Sequence, residues 1–374
     1  MKVAFVDQAG DETGGAQESL ALLLGHLPQT VDPDIILFGD GRYAQRLREM
    51  GLRVHVLATP TAIAGATREG VSLQSGFAAL GMLGGLITLL RRLQPSVVHT
   101  NTVKAHVVGG VAARIGNVPT VAHFRDVLEG RGRTLVRSAA RVASRERIAI
   151  SSLVARSFAL PHTSVIENPL ELGAYANLPG RSDARERLGL PRDKPIVVLV
   201  GRINRWKGHD RFLRAAAAIA PAAHFVIAGA PRFRDADFLP ELHAMVQANG
   251  LRESVTFLDW LEDPRVLFAA ADVNVNCSTR EPFGRTVIEA AAAGVPTVCF
   301  DDAGVAEFMR DGDGGTVVRA GDEAGLTAAI ATYVAMDATE RGRTGRTAAT
   351  WARRFAADRH AARVTEILER AAQR

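Results

Sequence analysis

The sequence predicts an α/β protein with two domains, each built on a parallel sheet that helices cover. The chain has 374 residues, of which 47% are hydrophobic and 23% charged, and this is typical of a globular protein with about two cores. Short apolar segments alternate with helix-like segments through both halves, which is typical of parallel sheets. A stretch rich in glycine, proline and charge, Gly173 to Pro195, is the predicted boundary.

Several apolar segments predict the strands of the N-terminal half. They lie at residues 3–6, 35–38, 54–56, 96–99, 120–122 and 148–152. Asn101 and Lys104 follow one of these strands, and His123 and Arg125 follow another. Ligands of parallel sheets bind beyond the carboxyl ends of the strands, so we expect these four residues near a ligand. For His123, the alternative is a histidine that fills a polar gap in the core.

The loop after the first strand runs from Asp7 to Gly15 and precedes a helix predicted from about Ala16 to Leu27. Gly14 and Gly15 would let a diphosphate or a sugar approach the first N–H groups of that helix closely. A glycine pair before a helix is also common in a simple tight turn.

A later segment predicts a helix with a basic stripe at a spacing of four residues: Arg133, Arg137, Arg141 and Arg145. Such a stripe would suit anionic lipid headgroups or an anionic acceptor, and the alternative is a solvated face. On the opposite side, the pattern predicts a buried face of Leu135, Val136, Ala139 and Val142.

The second half opens with a predicted strand, Ile196 to Val200, and the loop Gly201 to Gly208, which reads GRINRWKG. Arg202 and Lys207 would place two cations over a diphosphate, where negative charge grows as a bond to it breaks. The alternative is a surface loop with an excess of basic residues. The loop differs from the Walker A pattern, because the glycine and lysine fall in the wrong order.

The most informative stretch is Asp272 to Phe300, which predicts a strand, a polar loop, a helix and a second strand. The first N–H groups of the helix lack helical partners and carry partial positive charge, which favours a phosphate. The residues at this helix start are Phe283, Gly284, Arg285 and Thr286. Glu281 and Glu289 would accept hydrogen bonds from sugar hydroxyls, or Glu289 would simply pair with Arg285.

Glu281-Pro282-Phe283-Gly284 followed by Glu289 resembles the E-x7-E signature of the retaining, nucleotide-sugar-dependent glycosyltransferases of family GT4. The loop Gly201 to Gly208 resembles the G-R-x-x-x-x-K-G loop of the same family, and Gly14-Gly15 resembles its Gly-Gly loop. The family has the GT-B fold, with two facing Rossmann-like domains. The resemblance implies domains at residues 1–170 and 171–354, with a C-terminal helix at about 355–374 that crosses back to the first domain.

The resemblance also implies roles. Glu281 would contact the transferred sugar and Glu289 the ribose of a UDP-, GDP- or dTDP-sugar, while Gly15 and His123 would lie near the donor. A departing phosphate oxygen would deprotonate the hydroxyl acceptor, with retention of anomeric configuration. Arg202, Lys207 and the helix start at Gly284 would stabilise charge, so no metal and no cofactor are expected. Asn101, Lys104 and Arg125 would lie on the acceptor side.

Composition limits the partners. A formal net charge of +5 permits anionic partners, including peripheral contact with an anionic membrane, without requiring nucleic acid. Two cysteines are too few for a disulfide framework, so we expect the protein to lie in a reducing cytoplasm. This expectation includes a position at the inner face of the membrane. The first residues, MKVAFVDQ, predict a strand and not a secretory signal, and the most apolar stretch, Gly76 to Leu90, is short for a membrane span.

Three other functions are compatible with parts of this pattern. An epimerase on the same fold would act on a nucleotide sugar without an acceptor, and the residues do not decide against it. A non-catalytic nucleotide-sugar-binding protein would tolerate the same residues. A dinucleotide oxidoreductase lacks support, because no G-x-G-x-x-G occurs.

Overall fold

The computed structural model describes residues 1–8, 14–57, 73–231, 237–310 and 313–373, with the backbone alone for residues 73–80. The chain forms two compact units. Unit 1 consists of residues 1–169 and 357–374, and unit 2 consists of residues 170–356. The family resemblance predicts this division after residue 170 and the return of the chain at about residue 355.

Unit 1 is built on a parallel sheet of seven strands in the order β3-β2-β1-β4-β5-β6-β7. The strands are β1 (Lys2–Asp7), β2 (Asp32–Leu37), β3 (Arg53–Val56), β4 (Val97–Thr100), β5 (Thr120–Phe124), β6 (Ser144–Ala149) and β7 (Thr163–Val165). The helices are α1 (Gly15–Gly25), α2 (Arg42–Glu49), α3 (Leu73–Leu93), α4 (Gly110–Ile115), α5 (Gly130–Ala143), α6 (Ser152–Phe158) and, late in the chain, α14 (Ala357–Ala372).

The sheet of unit 1 is buried on both faces. In β1, Val3 and Phe5 pack into a core that includes residues of α1, α2 and α14, whereas Ala4 and Val6 pack into a core on the α3 and α4 side. This alternation follows from the two-residue period of a strand. Both faces of the strands are therefore apolar, which is why these strands appear in the sequence as short, nearly continuous apolar runs.

Unit 2 is built on a second parallel sheet, in the order β10-β9-β8-β11-β12-β13. The strands are β8 (Ile196–Val200), β9 (His224–Ala228), β10 (Val255–Leu258), β11 (Val273–Asn276), β12 (Thr297–Phe300) and β13 (Gly315–Val318). The helices are α7 (Arg181–Arg187), α8 (His209–Ile219), α9 (Phe238–Ala248), α10 (Arg265–Ala270), α11 (Arg285–Ala292), α12 (Glu323–Val334) and α13 (Ala338–Ala352). The predicted α/β class is confirmed.

Each sheet has one place where the strand order reverses. In unit 1 it lies between β1 and β4, and in unit 2 between β8 and β11. The connections that leave the two central strands there run to opposite sides, so a crevice opens at the carboxyl ends. The loops after these four strands carry five of the polar residues that the sequence predicts for the site: Asn101, Lys104, Arg202, Lys207 and Glu281.

The predicted arginine helix differs from the structure in two ways. Helix α5 ends at Ala143 and Arg145 lies in β6, because the backbone becomes extended at Ser144. Arg145 therefore does not extend the stripe. Leu135 and Val142 are also predicted wrongly to be buried, since they are 57% and 71% exposed. The buried residues of the helix are Val136 and Ala140.

Three other sequence patterns differ from the structure. The segment from Gly312 to Val318 predicts a hairpin-like element, but Gly315–Val318 is the edge strand β13, which pairs in parallel with β12; Gly312 lies outside the described residues. The pattern at residues 349–372 predicts one helix, but a short 3-10 turn, Arg353–Phe355, interrupts it before α14 begins. The predicted linker, residues 173–195, contains α7. Within the described part of the chain, no helix combines the length and apolarity that a bilayer span requires.

Asp272, at the start of β11, anchors α7 to the sheet of unit 2. Its buried carboxylate accepts hydrogen bonds from Arg181, from Arg185 at 2.6 Å and from Arg341 at 2.8 Å. The same carboxylate accepts a bond from the backbone N–H of Ile196, the first residue of β8, at 2.7 Å. One acidic side chain thus joins two strands and two helices, and this bond network fixes where β8 and β11 begin.

We predict that Asp272→Ala lowers the free energy of unfolding of unit 2 by about 3 kcal/mol or more, because it leaves Arg185 buried without its counter-ion. Urea unfolding followed by tryptophan fluorescence measures the change. As a control, Glu186→Ala removes an exposed ion pair with Arg192 and should change the same quantity by at most about 1 kcal/mol. Equal changes in the two variants would contradict the anchoring role.

Candidate functional site

Two loops of unit 2 contact each other at the carboxyl ends of β8 and β11. The Nζ atom of Lys207 donates to Oε2 of Glu281 at 2.5 Å, and both side chains are largely buried. The backbone N–H of Thr279 donates to the carbonyl of Trp206 at 2.9 Å. The two motifs that the sequence singled out separately therefore form one site, in which a lysine neutralises the carboxylate of Glu281.

Gly208 sets how closely the two loops approach. It has a φ of +73°, and a Cβ atom there would lie 2.3 Å from the carbonyl oxygen of Cys277. Only glycine fits this position, since side chains bring both a clash and backbone strain. The same carbonyl accepts a hydrogen bond from Arg211 of α8 at 3.1 Å. The exits of β8 and β11 are thus held against each other through backbone contact.

The loop after β8 is shaped by a short 3-10 turn, Arg205–Lys207. The side chain of Asn204 caps this turn by accepting from the N–H of Lys207 at 3.2 Å. The Lys207 ammonium also lies 4.3 Å from the ring centroid of Trp206, at a cation–π distance. Arg202, at the start of the loop, is exposed and forms no ion pair with the residues that the structure describes.

Helix α11 begins at the end of the loop after β11. Gly284 is its N-cap with a φ of +100°, and a Cβ atom there would lie 3.2 Å from Asn276 and from Val305. Phe283, just before it, is buried against the rings of Phe308 and Phe355. This packing fixes the start of the helix, so that the N–H groups of its first turn, which includes Arg285 and Thr286, point out of the helix end.

Glu289 lies one turn into α11 and pairs with Arg285 at 3.2 Å. Tyr175 is a neighbour that sequence reasoning missed: burial, reinforced by the charge of Glu289, raises the pKa of its hydroxyl. Arg265 holds this segment by donating to the carbonyl of Ala174 at 2.9 Å. Tyr175 lies in the segment expected to be a linker, and for that reason its position beside Glu289 carried no sequence signal.

In unit 1, a buried polar network joins the loops after β1 and β4. Asn101 donates to Asp7 at 2.9 Å, and its own oxygen accepts from Nε of Arg125 at 2.5 Å. Arg125 also donates to Asn168 at 2.7 Å, and Asn168 accepts from Ser19 of α1 at 3.2 Å. Asn101 and Arg125, expected on the acceptor side, are thus buried and hydrogen-bonded within the unit.

Burial raises the pKa of Asp7 to about 6, although its hydrogen bonds from Asn101 and Thr102 act in the opposite direction. Asp7 is not among the site residues that the sequence motifs predict. The signal was available, because Asp7 ends a strand in the same way as the residues that were selected, beside the place where the strand order reverses.

His123 is fully buried at the end of β5. Its Nδ1 atom lies 3.2 Å from Nε2 of His99 and 3.4 Å from Nη2 of Arg125. An arginine only donates, so Nδ1 of His123 accepts and the neutral ring carries its proton on Nε2. That Nε2 atom is buried without a partner among the described residues. Burial, and then the charge of Arg125, lowers the pKa of His123 well below its usual value.

The remaining predicted residues lie at the surface. Lys104 is exposed, just before a short π-helical segment, Ala105–Gly109. Gly15 is exposed in the first turn of α1, and its carbonyl accepts from the Ser19 hydroxyl at 2.8 Å. Unit 2 thus brings together Lys207 and Glu281, with Arg202 on the same loop as Lys207, whereas unit 1 brings together Asn101, Arg125 and His123.

Comparison with known proteins agrees with the family resemblance of the sequence motifs. Residues 180–351 match the family model described as glycosyl transferases group 1, and residues 14–164 match the model described as glycosyl transferase 4-like domain. Among solved structures, Anabaena Alr3699/HepE in complex with UDP-glucose has a TM-score of 0.84 at 25% identity, over 99% of each chain. WaaG, a glycosyltransferase involved in lipopolysaccharide biosynthesis, has a TM-score of 0.70 at 15% identity, over 98% of this chain and 99% of that one.

Curated relatives match over shorter stretches. The lipopolysaccharide core biosynthesis glycosyltransferase LpsE of Rhizobium meliloti is 35% identical over 151 residues, which cover 40% of this chain and 43% of the relative. The D-inositol 3-phosphate glycosyltransferase of Mycolicibacterium paratuberculosis is 36% identical over 180 residues, which cover 48% and 41%. The chain therefore matches less than half the length of each of these two relatives.

We predict that ionisation of Asp7 destabilises unit 1. The folded pKa of about 6 lies above the unfolded value of 3.8, so the folded state holds the proton more tightly. The stability of the wild type relative to Asp7→Asn should therefore fall as the pH rises, by about 3 kcal/mol between about pH 4 and about pH 7. Urea unfolding of both proteins across this range measures the difference.

Asp40→Asn is the control for this titration. Asp40 is exposed, and hydrogen bonds from Arg48 lower its pKa. Its ionised form is therefore the stabilising one, so the stability of the wild type relative to Asp40→Asn should rise with pH mainly below about pH 4 and stay nearly constant between about pH 4 and about pH 7. If the difference in the free energy of unfolding between the wild type and Asp7→Asn did not change with pH, the pKa of Asp7 would not be raised in the folded state.

Proposed function

Because the chain belongs to the GT4-like glycosyl transferases of GT-B fold, we propose that it moves a hexose-type sugar from a nucleoside diphosphate sugar to a hydroxyl acceptor, with retention of configuration. The observation that supports the proposal best is the contact between Lys207 and Glu281. It unites a basic loop, a carboxylate and a helix start at the point where parallel sheets bind ligands.

In this proposal unit 2 binds the leaving diphosphate. The N–H groups at the start of α11 and the cations of Arg202 and Lys207 stabilise the charge that appears on the phosphate as the glycosidic bond breaks. The Gly208 and Gly284 contacts fix the backbone beside Lys207 and at the start of α11 before the reaction, so little reorganisation is needed there. The leaving phosphate oxygen takes the proton of the attacking hydroxyl.

The two carboxylates of unit 2 then have different tasks. Glu281, held by Lys207, accepts hydrogen bonds from hydroxyls of the transferred sugar, and Glu289 accepts them from the ribose. Such hydrogen bonds between a carboxylate and neighbouring hydroxyls are strong and directional. We propose UDP as the nucleotide, since Alr3699/HepE, a structural neighbour at 25% identity, was solved with UDP-glucose.

Unit 1 contributes through His123 and Gly15. The Nε2–H group of His123 is one of several buried polar groups without a partner among the described residues, and we propose that it bonds a hydroxyl of the donor sugar. Its low pKa makes it a hydrogen-bond donor and not a base that carries charge. Asn101 and Arg125 hold His123 and the loop after β1 in place, while the exposed Lys104 is the candidate for direct contact with the acceptor.

The chemistry of this site does not need a metal in our proposal, because protein cations and a helix start act on the diphosphate. Transfer should therefore persist in excess EDTA, as measured by release of the nucleoside diphosphate. Loss of activity in EDTA that added Mg²⁺ restores would contradict this part of the proposal.

For the acceptor, lipopolysaccharide cores and inositol phosphates are the classes named for the relatives, and a lipid-linked glycan or a secondary metabolite is equally compatible.

A thermal-shift panel tests the donor. We expect UDP, or a UDP-sugar, to raise the melting temperature, since a ligand at about 100 times its Kd adds about 2.7 kcal/mol to stability. GDP- and dTDP-sugars serve as comparisons. If no member of the panel moves the melting temperature, the proposed function is wrong.

We predict that three substitutions separate binding from turnover. Glu289→Ala should weaken nucleotide binding in calorimetry, because it removes the ribose contact. Glu281→Ala should lower kcat more than it weakens nucleotide binding. Lys207→Ala should lower kcat by about two to three decades, as expected when a charge-stabilising donor is lost.

Arg205→Ala is the matched control for Lys207→Ala. Arg205 is a cation on the same loop, but it pairs with the exposed Glu241 of α9 at 2.5 Å. Its removal should leave kcat within about threefold of the wild type. Similar losses in the two variants would mean that the loop needs only its general charge, and would remove the specific role of Lys207.

A further inference from the structure

The solvent face of α5 has an unusual composition. Its exposed residues follow the spacing of one helix face: Arg131, Thr134, Leu135, Ser138, Arg141 and Val142. Gly130, Gly132 and Arg133 are also exposed, in the first turn of the helix and off this face. Leu135 and Val142 are two turns apart, so they lie on one line along the helix. Arg131 lies one turn before Leu135, and Arg141 lies beside Val142.

The neighbouring helix α4 adds to the same pattern. It packs against α5, since a Cβ atom on Gly110 would lie 3.2 Å from Cβ of Ala143. Ile115 at its end is 54% exposed, and Arg114 beside it is exposed. Neither helix contains an acidic residue. The exposed aliphatic side chains of leucine, isoleucine and valine in the described residues all lie on these two helices.

An ordinary solvated face carries both charge signs and few exposed aliphatic side chains. The α4–α5 face, defined by the exposed residues of these two helices, combines one charge sign with apolar side chains. An anionic bilayer surface complements both properties: aliphatic side chains enter the boundary between headgroups and acyl chains, and arginines extend to the phosphates.

We propose that the α4–α5 face docks unit 1 on an anionic lipid bilayer. Docking at α5 would bring the membrane close to the candidate acceptor side of unit 1. A single loop, residues 126–129, separates the start of this helix from Arg125 and the end of β5. A bilayer at this face lies near the carboxyl ends of the strands in unit 1, where an acceptor carried on a lipid would arrive. Docking of this kind does not depend on which nucleotide sugar is the donor.

Vesicle flotation with the full chain, without substrates, tests the docking. We expect the protein to float with phosphatidylcholine vesicles that contain about a third phosphatidylglycerol, and to remain behind with pure phosphatidylcholine. Binding should weaken as salt increases, since the arginines are exposed. Failure to float with the anionic vesicles at low salt would overturn the proposal.

Two double variants locate the contact. Arg131→Glu/Arg141→Glu should weaken binding by at least about tenfold, because it reverses the charge at the bilayer surface. Leu135→Ser/Val142→Ser keeps the charge and should also weaken binding, since it removes the apolar side chains that enter the boundary. Unchanged melting temperatures would show that both variants fold.

Matched controls lie elsewhere in the chain. Arg343→Glu/Arg346→Glu makes the same change of charge on the exposed side of α13, and Met50→Ser removes an exposed apolar side chain after α2. Both should bind like the wild type. If the charge variants of α5 and α13 weakened vesicle binding equally, net charge alone would explain the binding. That result would overturn the assignment to the α4–α5 face. A dimer in solution that the α5 variants dissociate would assign the face to a second copy of the chain instead.

A failure here is distinguishable from a failure of the proposed function. The thermal shift with UDP reports on unit 2 and needs no membrane, whereas flotation needs no nucleotide. Protein that binds UDP but does not float keeps the transferase proposal and loses the docking proposal.

Discussion

The close approach of two strand exits in unit 2 is the constraint on which the candidate site depends. Gly208 lies against the carbonyl of Cys277 with no room for a Cβ atom, and the loops on either side are thereby forced into contact. Lys207 and Glu281, which flank this point, then form an ion pair with little freedom. Asp272 acts at the other end of β11 and fixes the start of the same strands. The backbone contacts therefore set where Lys207 and Glu281 lie, and the charged groups of these two side chains supply the chemistry of the site.

Much of the fold could be predicted because buried parallel strands are simple patterns. Runs such as Val3–Val6 and Ile196–Val200 are apolar on both faces, so strand and helix alternate visibly along the sequence. Lys207 and Glu281 could be selected as well, since both follow such a strand. Their direct contact could not be predicted, because the order of strands in the sheet decides it and local sequence does not encode that order.

The errors have a common physical origin. Periodicity identifies an amphipathic helix but does not tell which apolar side faces the core, and Leu135 and Val142 were assigned to the wrong side of α5. The end of that helix was missed for a related reason, because residues 144–149 are polar enough to continue a helical pattern yet pair as β6. In unit 1, Arg125 donates to Asn101, a contact that the sequence does not reveal, and their expected place on the acceptor side stays a prediction.

The return of the chain into unit 1 has a consequence for biosynthesis. Helix α14 supplies Ala361, Val364 and Leu368 to the same core as Phe5 of β1, although all of unit 2 is made between them. During translation, the first sheet therefore emerges with an apolar face uncovered and cannot complete its packing until α14 leaves the ribosome. Unit 2 has no such requirement, so the half of the chain that is made later can finish folding first.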